Sequence, residues 1–425
     1  AGGSDLLVLP ELVGELRDLN QELVPGYLLS ATPGGPNSSG IAPGPLVTEV
    51  TTNPEQPDGG VDLPITAKVT EIDGGGVAGV QLVYRFMYED EVTVPMNSAG
   101  DGTYSGVIPS AVIQPGMMIR WKVLATDAIG NVSKSPAFRN PADSHEWLGT
   151  VPKDPSIHTN LTVLHWFIEN PSRAQSASRD DASMFYLGEF YDNIESDLHG
   201  QSTSGGAFVK KSFNVDFPET QRFRWKEGEK RVRDINLLTN WADKAKFRHP
   251  LAYEVLREAG VAAHFAFTVR VHQNGEFYSI QDIVEDPDET YLERADLNSR
   301  GALYKMYSTF SSTGDARGAY GQKKTRKFER TEDLEEMYAG ISLRSAELRT
   351  YVMDNVDIPK TVNYLATNLL PSNSDCCHKN YYFYRDTEET NEWTMLPWDL
   401  DLSWGHVWNG TENYFNDDLN TNTAI

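Results

Sequence analysis

The chain is poor in cysteine, poor in basic charge and without a long apolar run, and each shortage excludes something. Its two cysteines, Cys376 and Cys377, are adjacent. A vicinal disulfide is strained and rare, so two neighbouring thiols are expected. A pair of cysteines also cannot supply a four-ligand zinc site without distant histidines. Lys and Arg number 37 against 61 Asp and Glu, a formal net charge of -24. That balance argues against nucleic acid or an anionic membrane as partner. No run of about 18 or more apolar residues occurs, so no membrane-spanning helix is expected. An initiator Met and a signal peptide are both missing from the opening AGGSDLLVLPEL, and the chain reads as an excerpt of a longer polypeptide with further domains.

At 425 residues the chain exceeds one ordinary core and suggests two or three domains. Residues 1–45 combine a short amphipathic segment with PGYLLSATPGGPNSSGIAPGP, whose Pro, Gly and Ser content cannot bury a core and reads as a linker. Its YLLSATPGGPN is similar to the tail of lamin-tail-like modules in large secreted bacterial proteins. Over 46–150 the pattern becomes alternating. Ile65, Ala67 and Val69 interleave with Thr66, Lys68 and Thr70, and Ile119, Trp121, Val123 and Ala125 with Arg120, Lys122, Leu124 and Thr126. Turns at DGGG, SAGDGTY and DAIGN separate the strands, as in an immunoglobulin- or fibronectin-III-like β-sandwich. A spacer or docking role is expected there.

Residues 151–425 hold the chemistry, concentrated in DCCHKNYYFYRDTEETNEWTMLPWDLDLSWG from Asp375 to Gly405. Tyr381 to Arg385 reads as a strand, Asp386 to Glu392 as a polar turn and Trp393 to Trp398 as the returning strand. Asp375 and Asn380 therefore sit at the same end of the hairpin as Asp399 and Asp401. An Asp, four intervening residues, an Asn and a later Asp form the constellation used by kinase-like phosphotransferases. The first Asp orients or deprotonates the acceptor hydroxyl, while the Asn and the later Asp hold Mg²⁺ against nucleotide phosphates. A chance match in an acidic chain, a solvated turn or an oxygen-rich Ca²⁺ loop would account for the same residues.

These residues, D-x4-NYYFY followed by PWDLDLSWG, resemble the spore-coat CotH kinase family, an atypical protein-kinase-like group. The resemblance runs from about Leu161 to the end in several motifs. It implies ATP and Mg²⁺ as cofactors, Asp375 as the catalytic base or orienting group, and Asn380 with Asp399 or Asp401 as metal ligands. HGQSTSGG matches the family's RGxS/T-type loop. Gly200, Ser202 and Thr203 are its phosphate donors, with His199 where the family usually has Arg. The family's Y-x3-E motif is represented by Tyr278 and Asp282, and GALYK carries Lys305 in its next short strand.

Strand parity around residues 210–217 puts Lys211 with Phe213, Val215 and Phe217, and Lys210 with Ser212, Asn214 and Asp216. An ammonium on an apolar face requires an anion. Nucleotide phosphates or a helix glutamate would serve, making Lys211 the counterpart of the kinase strand lysine; snorkelling at a sheet edge is the alternative. On the helix expected from about Pro250 to Ala259, Glu258 is the first candidate partner and Glu254 the second, unless Glu258 pairs with a surface Arg.

The fold expected is a β-sandwich followed by an α+β protein-kinase-like bilobal domain with an incomplete lower lobe. Three functions compete. The first is an ATP- and Mg-dependent phosphotransferase acting on hydroxyls of a secreted or envelope protein. The others are a catalytically impaired, nucleotide-binding scaffold and a structural or adhesion module. A secreted or cell-surface location follows from the resemblance and the modular layout.

Overall fold

The computed structural model describes residues 44–72, 74–138, 140, 142–175, 180–200, 204–205, 209–307, 321–373, 375 and 379–405. Ser202, Thr203, Cys376, Cys377 and the segment 1–43 lie outside the described residues. The chain divides into two compact units, 1–158 with 183–193, and 159–182 with 194–425.

The first unit contains β1 (Leu46–Thr52), β2 (Leu63–Thr70), β3 (Val77–Phe86), β4 (Val92–Pro95), β5 (Asn97–Gly100), β6 (Thr103–Ile108), β7 (Ile119–Asp127), β8 (Val132–Ser135) and β9 (Leu148–Thr150). They form two antiparallel sheets, ordered β1-β2-β6-β5 and β4-β3-β7-β8, with β9 also on β7. Alternation along β2 and β7 sends Leu63, Ile65, Ala67, Ile119, Trp121 and Val123 into one core shared by both sheets.

The second unit opens with β10 (Val163–Ile168) and α1 (Pro171–Ala174); β11 (Asp180–Tyr186) and β12 (Glu189–His199) are divided between the units, with 183–193 in the first, and β13 (Ser212–Asp216) and β14 (Asp234–Leu238) follow in the second. After α2 (Arg248–Glu258) come β15 (Ala266–Gln273), β16 (Glu276–Glu285), α3 (Glu289–Arg294), β17 (Ala302–Met306) and β18 (Gly321–Lys323). The last elements are α4 (Glu332–Ile341), α5 (Ser345–Asn355), α6 (Ile358–Leu369), β19 (Tyr381–Arg385) and β20 (Trp393–Pro397). Asn274 and Gly275 link β15 to β16 with φ of 50° and 90°, the two left-handed residues that a tight hairpin turn requires.

Seven strands close into a barrel in the order β10-β11-β12-β13-β14-β16-β15. Closure comes from the parallel pairing of β10 with β15, Val163 opposite Arg270 and Trp166 opposite Gln273. It leaves no strand edge unpaired around the ring. Trp166, Phe213, Val215 and Leu237 are buried, with the Trp166 and Phe213 rings 6.1 Å apart.

A separate antiparallel sheet, β18-β17-β19-β20, has two covered faces. Ala302, Tyr304, Met306, Tyr381 and Phe383 pack with Leu334 and Met337 of α4. Leu303, Tyr382, Tyr384 and Leu396 instead join a core with Tyr253 and Leu256 of α2, Val284 of β16 and Tyr291 of α3. Period two therefore puts Lys305 on the Leu303 face, toward that second core.

This architecture corrects the expected α+β bilobal domain. Of the described residues 39% lie in strands and 18% in helices, and the longest helix, α6, has 12 residues. The upper part is a closed barrel and the elements below it centre on a sheet, not a helical lobe. Two physical reasons account for the difference. Alternation marks a strand without saying whether its sheet ends or closes, and the closing pair joins segments more than a hundred residues apart. Among the described residues no helix is long and apolar enough to cross a membrane.

Candidate active site

Within the second unit a cleft of about 1010 Å³ is lined by β12, β13, β14, β17, β18 and the segments 375–380 and 398–402. Nine of its lining residues are Asp or Glu and five are Lys or Arg. Parity along β13 decides what reaches it. Phe213 and Val215 are buried in the barrel, while Ser212, Asn214 and Asp216 on the opposite face line the cleft.

Four of the expected polar residues come together here: Asp375, Asn380, Asp399 and Asp401 all line the cleft. Asn380, with φ of 59°, donates through Nδ2 to Oδ2 of Asp375 at 2.7 Å. The ammonium of Lys379 is 3.2 Å from the same oxygen, and the Asp375 N–H donates to Oδ1 of Asn373 at 3.1 Å. In the Pro-Trp-Asp-Leu-Asp-Leu run, Trp398, Leu400 and Leu402 are buried and the intervening carboxylates stand toward the cleft. His264, fully buried, makes a 2.9 Å hydrogen bond to the Pro397 carbonyl and meets the Trp398 ring edge-on at 5.3 Å. The Asp399 N–H donates to the Tyr253 hydroxyl at 3.2 Å, and its φ of 55° is one that Asp tolerates. Helix α2 and a buried histidine thus fix the turn that presents both carboxylates.

Electrostatics follow from this crowding. Burial, then Asp399, Asp375 and Asp243, push the Asp401 carboxyl up, against the opposing pull of His249. Burial opposes protonation of His249, but Asp282, Asp401 and Asp399 outweigh it and hold its pKa above the ordinary value. An oxygen-only donor set with more negative charge than it can hold suits a hard divalent cation. The residues therefore fit Mg²⁺, although among the described residues no three His, Cys, Asp or Glu side chains by themselves form a metal cluster. Asn380, whose Nδ2 is committed to Asp375, would offer Oδ1.

Two of the cleft's five cations, Lys305 and Lys324, lie on β17 and just beyond β18. Lys305 stands over the Trp398 ring, 4.6 Å from its centroid. Burial lowers its pKa, while Asp286 and Asp399 work in the opposite sense. Burial would also lower Lys324, but its 2.7 Å pair with Asp286 holds it above its usual value. Asn236 donates to the other Asp286 oxygen at 3.0 Å. His199 lies 2.6 Å from Oδ1 of Asn214, whose Nδ2 donates to Asp197 at 2.6 Å. Burial first, then Lys305, depresses the His199 pKa and favours a neutral ring.

Of the remaining expected residues that the structure describes, one lines the cleft and the others do not. Gly200 lines the cleft with φ of 90°. Lys211 is buried as its parity implies, but on the face away from the cleft, where its ammonium donates to the carbonyls of Ser204 (3.0 Å) and Gly205 (2.7 Å). Two carbonyl dipoles thus do what an anion was expected to do. Glu258 and Glu254 are exposed, because α2 buries the face of His249, Ala252, Tyr253 and Leu256. Asp282 is fully buried behind the cleft. It accepts from Thr268 Oγ1 at 2.7 Å and lies 3.6 Å from His249 Nδ1. Lys324, Asp286, Asn236 and His249 are site residues that the sequence reading passed over. For Lys305 a signal existed, since it shares the parity of Leu303 within GALYK.

A family model described as CotH kinase protein matches residues 197–424, more than half the chain. The chain belongs to the CotH kinase protein family. Among curated proteins, the inner spore coat protein H of Bacillus subtilis (strain 168) is 29% identical over 211 residues, covering 47% of this chain. This CotH-family chain spans about half the length of that relative, 56% of it. Among solved structures, a cycloalternan-forming enzyme from Listeria monocytogenes in complex with pentasaccharide substrate aligns with a TM-score of 0.19 and 10% identity, over 45% of this chain and 17% of that one. A GH family 64 laminaripentaose-producing β-1,3-glucanase from Paenibacillus barengoltzii aligns with a TM-score of 0.16 and 11% identity, over 49% and 70%. Similarities this low bear on neither the fold nor the chemistry of this CotH-family domain.

Proposed function

We propose that this CotH-family chain is an atypical kinase, transferring the γ-phosphoryl group of ATP with Mg²⁺ to a hydroxyl side chain of a secreted or envelope protein. The observation that carries this reading is the convergence of Asp375, Asn380, Asp399 and Asp401 on a cleft that also contains Lys305 and Lys324. The family membership and the spore-coat relative support a kinase-type activity and an extracellular or coat location.

In this reading Asp375 aligns the acceptor hydroxyl and takes its proton as the new oxygen–phosphorus bond forms and the bond to the bridging β,γ oxygen breaks. Lys379 and Asn380 hold its carboxylate in place. Asp399, Asp401 and Oδ1 of Asn380 would hold Mg²⁺, which would supply charge neutralisation for the phosphates. Lys305, made costly to bury by its surroundings, gains a counter-anion when a phosphate enters. Gly200 and the adjoining Ser202 and Thr203 retain the phosphate role that the family loop implies.

A second reading, a nucleotide-binding scaffold without transfer, is favoured by His199, whose depressed pKa leaves it neutral where the family usually has Arg. Transfer of labelled phosphate from ATP to a hydroxyl-bearing protein, Mg-dependent and lost in Asp375→Asn, supports the kinase. Mg-ATP binding without any transfer supports the scaffold, and no nucleotide binding overturns both.

A further inference from the structure

The loop that carries Asp375 is tied to the protein by a chain of buried amides. Asn368, in the last turn of α6, and Asn373, just beyond that helix, are 0% and 1% exposed. Nδ2 of Asn368 donates to the Tyr364 carbonyl at 2.9 Å, and its Oδ1 accepts from Asn373 Nδ2 at 3.3 Å. Oδ1 of Asn373 in turn accepts the Asp375 N–H at 3.1 Å, and the Asn373 N–H donates to the Asn368 carbonyl at 3.3 Å. Each amide uses both its donor and its acceptor, so the run from helix to base has no missing link. Tyr364, where it starts, belongs to the same core as Tyr253, Trp398 and Leu400. That core also seats the turn bearing Asp399 and Asp401.

Two features indicate that these amides serve geometry more than stability. Asn is a poor helix former, and two amides hidden from water gain little over apolar side chains of the same volume, since their bonds only replace those lost to solvent. A fully satisfied buried network does, however, fix one arrangement of the backbone that bears it. The second feature is a clip on the other side of the loop. The Trp404 N–H donates to the Pro371 carbonyl, and its indole N–H donates to the Arg248 carbonyl at the start of α2 at 3.2 Å. Pro371 lies two residues before Asn373, and Trp404 three after Asp401. The loop of the base and the segment of the two carboxylates are thus pinned to each other as well as to α2 and α6. Lys379 and Asn380 orient the Asp375 carboxylate, whereas Asn373 holds the backbone from which that carboxylate projects.

We infer that Asn373, supported by Asn368, is a positioning residue that sets where Asp375 stands relative to the turn of Asp399 and Asp401; this rests on the kinase reading above. The test uses the full 425-residue chain, γ-labelled ATP with Mg²⁺, and dephosphorylated casein as acceptor, counting label passed to casein, to the chain itself or to water. Asn373→Ala and the volume-keeping Asn373→Leu remove the acceptor of the Asp375 N–H. Asn373→Ser retains one, because a Ser hydroxyl can close the same turn two residues on. The Ala and Leu variants should slow transfer at saturating ATP by about 10–100-fold, the cost of a displaced reacting group. ATP affinity should stay within about twofold of the parent, and Asn373→Ser should recover transfer to within about threefold. In an Asp375→Asn background, where no base remains to be positioned, Asn373→Ala should slow the residual transfer by less than about twofold. Transfer within about twofold of the parent in the Ala and Leu variants overturns the inference and leaves the kinase reading standing. Equal slowing in both backgrounds, a parallel fall in ATP affinity, no recovery in Asn373→Ser, or failure of both Ala and Leu variants to fold also overturns it, since Asn373 would then serve the fold alone. If the parent passes no label at all, the kinase reading fails and takes this inference with it.

Discussion

Oδ2 of Asp375 receives the Asn380 amide at 2.7 Å and faces the Lys379 ammonium at 3.2 Å, so the loop that bears the proposed base also orients it. Both partners lie within five residues of Asp375, which explains why the five-residue spacing of Asp375 and Asn380 was readable. A left-handed turn at Asn380, with φ of 59°, folds the amide back on the carboxylate. Asn380 thereby joins the acceptor side of the cleft to the side that would hold the metal.

Asp375→Asn should reduce phosphate transfer by about 10²–10⁴-fold, the usual contribution of a positioned general base. ATP affinity should stay nearly unchanged, because the altered group faces the acceptor. Single-turnover transfer alongside equilibrium ATP binding separates the two quantities. A fall in nucleotide affinity matching the fall in rate would move Asp375 into the metal site.

Asp399→Asn should lose both binding and transfer. Asn accepts the left-handed backbone at this position, with φ of 55°, and the N–H bond to Tyr253 survives, so the fold is preserved. The missing charge should weaken Mg-dependent ATP binding by at least about tenfold. Titrating ATP with and without Mg²⁺ measures the difference, and an Mg²⁺ dependence equal to that of the parent would place the cation elsewhere.

Local patterning made much of the site legible and little of the architecture. The hairpin Tyr381–Arg385 to Trp393–Pro397, the tight turn at Asn274 and Gly275, and the burial of Lys211 all follow from period two or from turn chemistry. The barrel does not, because its closure is a parallel pairing of β10 with β15 that no local rule contains. The same limit explains Lys211 and Glu258. Parity says which side of β13 a lysine occupies but not which side faces the cleft, and the cleft turned out to use the polar face. On α2 the inward face is set by His249, Ala252, Tyr253 and Leu256, which leaves Glu258 on the exposed side. Lys324 and Asp286, brought to one pair by tertiary packing, carried no sequence signal of their own.

A pH effect on stability should trace to Asp234. Burial first, then Asp216, Asp286 and Asp288, push its carboxyl from 3.8 up to about 8. Because the folded pKa is raised, the native state keeps a proton that the unfolded chain has released throughout that window. Stability should therefore fall as pH rises from about 4 toward 8. Asp234→Asn removes the titrating group and should flatten this part of the slope. Urea midpoints measured across the range decide it, and an unchanged slope in the variant would assign the effect to other carboxyls.

Two lysines give the sharpest contrast between structure and function. Lys211 is buried and capped by the carbonyls of Ser204 and Gly205, away from the cleft. Lys211→Met keeps the length and apolar stem of the side chain but leaves both carbonyls without the ammonium. Its expected cost is about 1–3 kcal/mol of stability, with little change in ATP affinity for the molecules that remain folded. Lys305, by contrast, lies in the cleft over Trp398, with a lowered pKa that reflects an unfavourable burial of charge. Lys305→Met should therefore leave stability nearly the same or raise it, while weakening Mg-ATP binding by about tenfold through loss of a charge-assisted phosphate contact. Unfolding midpoints and ATP titrations on the two variants should thus move in opposite columns. If Lys211→Met lowers ATP affinity at full stability and Lys305→Met does not, the phosphate lysine is on the barrel strand, as the kinase analogy first suggested, and the geometric assignment to β17 falls.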